Sequence, residues 1–137
     1  MKLKKAVTVL ILALVVLGTY AQEKVPPVRI VDIKNVATKV YGASSSSSTS
    51  SQSPDFPVLR GGSRRDVNLN DLSWITVRHD LPASDNIYIT VELTFRDGKT
   101  ETLEMIRSIR FTGKTDNGDF SIEVKDINTL QVLHGPA

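Results

Sequence analysis

His79 is the one histidine in this chain with a carboxylate beside it, Asp80. An imidazole next to a carboxylate has the makings of a general base, because the carboxylate can orient the ring and stabilise its protonated form. Neighbouring residues of a strand point to opposite faces, however, and Leu81-Pro82 follows. The spacing therefore fits a strand end entering a loop better than a dyad. A hydrolytic or metal-dependent site built on His79 would need a carboxylate from another loop. The second histidine, His134, stands in the closing segment His134-Gly135-Pro136-Ala137, which is expected to be a disordered tail. Two distant histidines and no cysteine give little basis for a transition-metal site. No catalytic, cofactor-binding or metal-ligating residue is assigned.

Asp116-Asn117-Gly118-Asp119 has the oxygen-rich look of a calcium loop but lacks the wider ligand spacing and the closing bidentate glutamate. It reads as a hairpin turn. Arg60, Arg64 and Arg65 flank Gly61-Gly62 and suggest an RGG-like element or an anion cradle at a second hairpin tip. Trp74, the sole tryptophan, is a candidate contact residue for carbohydrate or protein if it is exposed. These four residues, Arg60, Arg64, Arg65 and Trp74, form the candidate binding patch, which Arg107 and Arg110 would extend only if the fold brought them near. No serine lies in a Gly-x-Ser-x-Gly or Ser-x-x-Lys pattern, and there is no glycine-rich phosphate loop. The scattered carboxylates offer no pair of the kind a glycosidase uses.

The N-terminus carries an address. Lys2, Lys4 and Lys5 precede the apolar run Ala6 to Gly18, and Thr19-Tyr20-Ala21 places small residues at positions −3 and −1 of a cut before Gln22. That is the three-part plan of a secretory signal peptide, too short for a spanning helix. Cleavage there leaves 116 of the 137 residues, with 14 basic against 15 acidic side chains. Near-neutral charge argues against nucleic-acid binding and against a membrane partner beyond the signal segment. An exported chain without cysteine must draw its stability from an apolar core, which fits a bacterial periplasm or exterior.

The elements that must position these residues read as β-structure. Eight of the ten residues from Ser44 to Ser53 are serine, so 44–55 is expected to be a mobile loop between N-terminal strands in 22–43 and the rest of the domain in 56–133. Ile87, Ile89, Val91, Leu93 and Phe95 alternate with polar residues, the period of a half-buried strand. Keeping the apolar faces in register across Asp97-Gly98 demands an odd-membered loop, centred here on Gly98. Leu103 to Ile109 also allows a short helical turn.

A shift of 55 residues lays Phe56 on Phe111, Asp71 on Asp126 and Val77 on Val132, with apolar residues matched between. Each copy reads as a strand, a helical turn capped by the aspartate and a second strand. The expected fold is thus a single antiparallel β-sandwich or barrel-like domain of two pseudo-repeated halves, with helical turns near 71–74 and 126–129. The expected role is a non-enzymatic binding or structural module of the cell envelope, without cofactor, meeting a protein or glycan partner.

Overall fold

A computed structural model describes residues 25–46 and 52–135. The signal segment and its cleavage site, Ser47 to Ser51 and the last two residues lie outside the described residues. The described chain is all-β, with strands β1 (Val28–Asp32), β2 (Ala37–Ser46), β3 (Gln52–Ser53), β4 (Asp55–Arg60), β5 (Ser63–Asn68), β6 (Leu72–Val77), β7 (Tyr88–Phe95), β8 (Thr100–Ile106), β9 (Arg110–Thr115), β10 (Gly118–Glu123) and β11 (Ile127–Val132).

Ten of these form one antiparallel sheet in the order β10-β9-β2-β1-β11-β6-β7-β8-β4-β5, curled into a half-barrel. It is a single curled sheet, not two stacked ones. β3 leaves this path to pair with the far end of β2, Ser45 with Ser53. Two residues later β4 takes its place beside β8, with Leu59 opposite Glu104. The curl is therefore drawn together at β2 and β4, where the buried Ser45 Oγ donates to the Asp55 carbonyl at 2.6 Å. This narrows the expected serine loop. Ser44–Ser46 belong to β2 and Gln52–Ser53 to β3, because a hydroxyl at a buried position can satisfy a carbonyl that an aliphatic side chain would leave unpaired.

Alternate residues of the strands face inward and build one core. Val28 and Ile30, Val91 and Leu93, Leu103 and Met105, Ile75 and Leu130 are all buried. At its centre Phe56 of β4 and Phe111 of β9 meet edge to face, ring centroids 5.7 Å apart.

The odd loop between β7 and β8 is present, but its centre is Asp97. Val91 pairs with Leu103 and Thr94 with Thr100, leaving Arg96, Asp97 and Gly98 beyond the Phe95–Lys99 hydrogen bond. Gly98, at φ 93°, closes the turn as its third residue instead of standing in the middle. Leu103 to Ile106 continue β8, so no helical turn forms there.

The helical turns are 3-10 turns at Leu69–Asp71 and Val124–Asp126, somewhat earlier than expected. Neither aspartate is the cap. Asn68 caps the first turn by accepting from the Asn70 N–H at 2.8 Å, and the second has no side-chain cap. Asp71 and Asp126 end their turns, and their carbonyls accept from the Arg96 and Ile33 N–H groups. β4, β5, the first turn and β6 have bounds that recur 55 residues later in β9, β10, the second turn and β11. That is a correspondence of bounds, short of a demonstrated superposition of two repeated halves.

Gly113, opposite Phe120, lets β9 press against β2: a Cβ there would meet Val40 Cγ1 and stand 2.7 Å from the Tyr41 carbonyl oxygen. Gly113→Ala is expected to lower unfolding free energy by about 1–3 kcal/mol through overpacking. Gly62→Ala, with nothing nearby, should change it little. Urea denaturation of the two variants checks this, and equal losses would contradict it.

Candidate functional site

His79 follows the end of β6, and its ring reaches the neighbouring strand. Nε2 lies 2.8 Å from the carbonyl oxygen of Ile127, the first residue of β11. Since a carbonyl only accepts, Nε2 carries the proton and donates. His134 follows the end of β11 and does the reverse, with Nε2 2.7 Å from the carbonyl of Leu72, the first residue of β6. The tail residue expected to be disordered is thus a fixed hydrogen-bond donor, held by a carbonyl 62 positions away. The sequence signal was there: the 55-residue offset, extended past Val77 and Val132, carries His79 onto His134 and Leu72 onto Ile127.

Asp80 does not serve His79. Its two carboxylate oxygens accept from Arg78 Nε and a terminal guanidinium nitrogen at 3.0 and 2.9 Å. Glu92 stands 3.7 Å from the same guanidinium. The Arg78 hydrogen bonds hold the Asp80 carboxyl below the usual aspartate range, and Asp80 raises Arg78 in turn. His79 therefore meets a backbone carbonyl where a general base would need a carboxylate. Among the described residues no group of three or more His, Asp or Glu is arranged to hold a metal ion.

The candidate patch is divided. Arg65 forks onto Glu101 with both contacts at 3.0 Å, Arg60 approaches the same carboxylate at 4.0 Å, and Arg64 pairs with Asp66 at 3.4 Å. The arginine hairpin is largely neutralised by its own neighbours, which removes much of its pull on an anion. Trp74, 37% exposed, lies in β6 between Gln131 and Thr94, with β7, β8 and β4 intervening before the arginines of β5. Arg107 donates to the Asn86 carbonyl at 3.3 Å, and Arg110 pairs with Glu123 across β9 and β10 at 2.9 Å. Neither extends the arginine hairpin. Asp116 and Asn117 form the tip of the β9–β10 hairpin, and Asp119 pairs with Lys114 at 2.9 Å. The Lys114 ammonium lowers the Asp119 carboxyl, which raises Lys114.

Sequence reasoning passed over the outer face of β2, β9 and β10. A bulge between Tyr41 and Ser44, with Gly42 at φ 63°, hollows the sheet there. The resulting trough encloses about 470 Å³ and is lined by Gly42, Ser44, Thr112, Lys114, Asp119 and Ser121. The signal was weak, since its hydroxyls come from the end of the serine tract and from polar residues alternating along two short strands.

No protein-family model matches the chain, and no curated protein matches it in sequence.

Two predictions follow from the side-chain partners. Because the folded Asp80 is depressed, its contribution to stability is present above the ordinary aspartate pKa, about 3.9, and is lost as pH falls through the lower folded value. Carboxyl NMR titration should place the Asp80 midpoint below that of Arg78→Gln, in which it returns toward the ordinary value. His79→Ala should lose about 1 kcal/mol in urea denaturation while His79→Gln, which keeps a donor, loses less. Equal losses would separate the effect from the Ile127 carbonyl.

Proposed function

We propose that this protein is an exported, non-enzymatic binding or structural module of the periplasm or cell exterior, carried by a cysteine-free β-domain. Export is supported by the lysine, apolar and small-residue order of the first 21 residues. The observation that carries the non-enzymatic reading is the commitment of the two groups on which a hydrolase would stand. His79 donates to the Ile127 carbonyl, and both oxygens of Asp80 are taken up by Arg78. These contacts join strands and order a loop, and neither leaves imidazole and carboxylate facing a common substrate position. The open outer face of the sheet, with Trp74 and Tyr41 partly exposed among polar neighbours, supports recognition of a partner on a surface.

Labelled protein should bind isolated envelopes of its source cell saturably, and His79→Gln should bind with unchanged affinity. Absence of saturable binding, or its dependence on the imidazole, would overturn the reading.

A further inference from the structure

We propose that the trough across β2, β9 and β10 is a binding site for a neutral glycan, an inference that rests on the binding-module reading and names its ligand. The hydroxyls of Ser44 and Thr112 lie 3.2 Å apart across β2 and β9. Thr112 is opposite Ser121, whose hydroxyl meets Arg110 at 3.0 Å. Three strands thus present a rank of hydroxyls, each both donor and acceptor, which is the chemistry that vicinal sugar hydroxyls match. The trough's roughly 470 Å³ lies within the size range of small-ligand sites and accommodates a few sugar rings.

Charge decides the class. Lys114 is paired with Asp119 and Arg110 with Glu123, each at 2.9 Å, so two cations and two anions cancel along this face. A phosphate or polyanion would gain little from such a balance, and a cation no more. Ion pairs held in place still offer fixed hydrogen-bonding groups to an uncharged ligand. Tyr41, opposite Lys114 in register and 41% exposed, stands at the rim as an aromatic with a polar tip.

The β4–β5 hairpin shows that the fold does not require this lining. Like β9–β10 it has a two-residue tip, yet Pro57 faces Asp66 where Thr112 faces Ser121, and Leu59 faces Arg64 where Lys114 faces Asp119. Two hairpins built alike therefore present different chemistry, and only one presents the hydroxyl rank.

The test is an amide NMR titration of the purified protein with cellotetraose, maltotetraose, mannotetraose and chitotetraose, with inorganic phosphate and a heparin tetrasaccharide as anionic comparators. At least one neutral tetrasaccharide should shift the amides of Ser44, Thr112, Lys114 and Ser121 along a saturable curve. Thr112→Ala combined with Ser121→Ala should weaken that binding about tenfold, the scale of one or two lost hydrogen bonds. Since Ser121 also serves Arg110, the near-isosteric Thr112→Val is the second variant and should weaken it in the same direction with the remaining spectrum unchanged. The proposal is overturned if none of the four glycans shifts these amides, if the shifts map elsewhere, if either anion binds the trough in preference, or if Thr112→Val binds unimpaired. Envelope binding without glycan shifts would sink this site and leave the module reading standing, whereas loss of both would sink both.

Discussion

Between β6 and β11 three residue pairs are in register, Trp74 with Gln131, Ile75 with Leu130 and Thr76 with Thr129. This short ladder joins the strands running out to β10 with those running out to β5. A ladder of that length would fray at both ends, because its terminal backbone groups are open to competition from water. The histidines act at those ends. Each leaves the end of one strand and donates to the first carbonyl of the other, so the pairing is held at both limits while Ile75 and Leu130 bury its middle. Imidazole suits the task because it reaches across a strand spacing with a single directed donor and little rotamer freedom to lose.

The rest of the curl follows from that seam and the core. With the centre pinned, the natural twist of the sheet carries β2 and β4 toward each other, and Phe56 and Phe111 fill the space between. A curl of this kind leaves polar backbone where the strands cannot stay in one ladder. Ser45 answers this at Asp55, and Leu69 and Val124 do the same with their own N–H groups, donating to the Pro54 and Ile109 carbonyls. The buried side-chain polar atoms of the described residues all have partners. A chain without disulfides relies on this agreement between apolar packing and hydrogen-bond satisfaction for a single arrangement.

What the sequence made legible is what depends on local pattern. The two-residue alternation of Ile89 to Phe95 announced a strand, and parity alone required an odd loop after it. The centre of that loop was misjudged because a glycine's position within a three-residue turn depends on which residue must take positive φ. The helical turns were misplaced for a related reason. Asn68-Leu69-Asn70-Asp71 offers three residues able to cap, and the choice of Asn68 follows from pairing that local propensity does not contain: Asn68 is still opposite Asp55 in β5, and the Leu69 N–H is claimed by Pro54. The histidine contacts were hidden because each joins residues far apart in the chain. Polar side chains of the serine tract were hidden by composition, which describes a segment's average and misses one serine that a strand places inside.

Comparison of the two edge hairpins separates the residues that build from those that face outward. Their inward positions agree in kind: Phe56 and Phe111, Val67 and Ile122, and beyond them Leu69 and Val124, all contribute to or pack against the same core. Their outward positions do not, as Pro57, Asp66 and Arg64 stand where the other hairpin has Thr112, Ser121 and Asp119. Packing penalises change at the first set by kilocalories, since a lost methylene leaves a cavity and an added one strains its neighbours. Solvent imposes almost no such penalty on the second set. Differences confined to the outward face are therefore free of the fold's demands, and it is there that chemistry directed at another molecule can be written without disturbing the core that holds the strands.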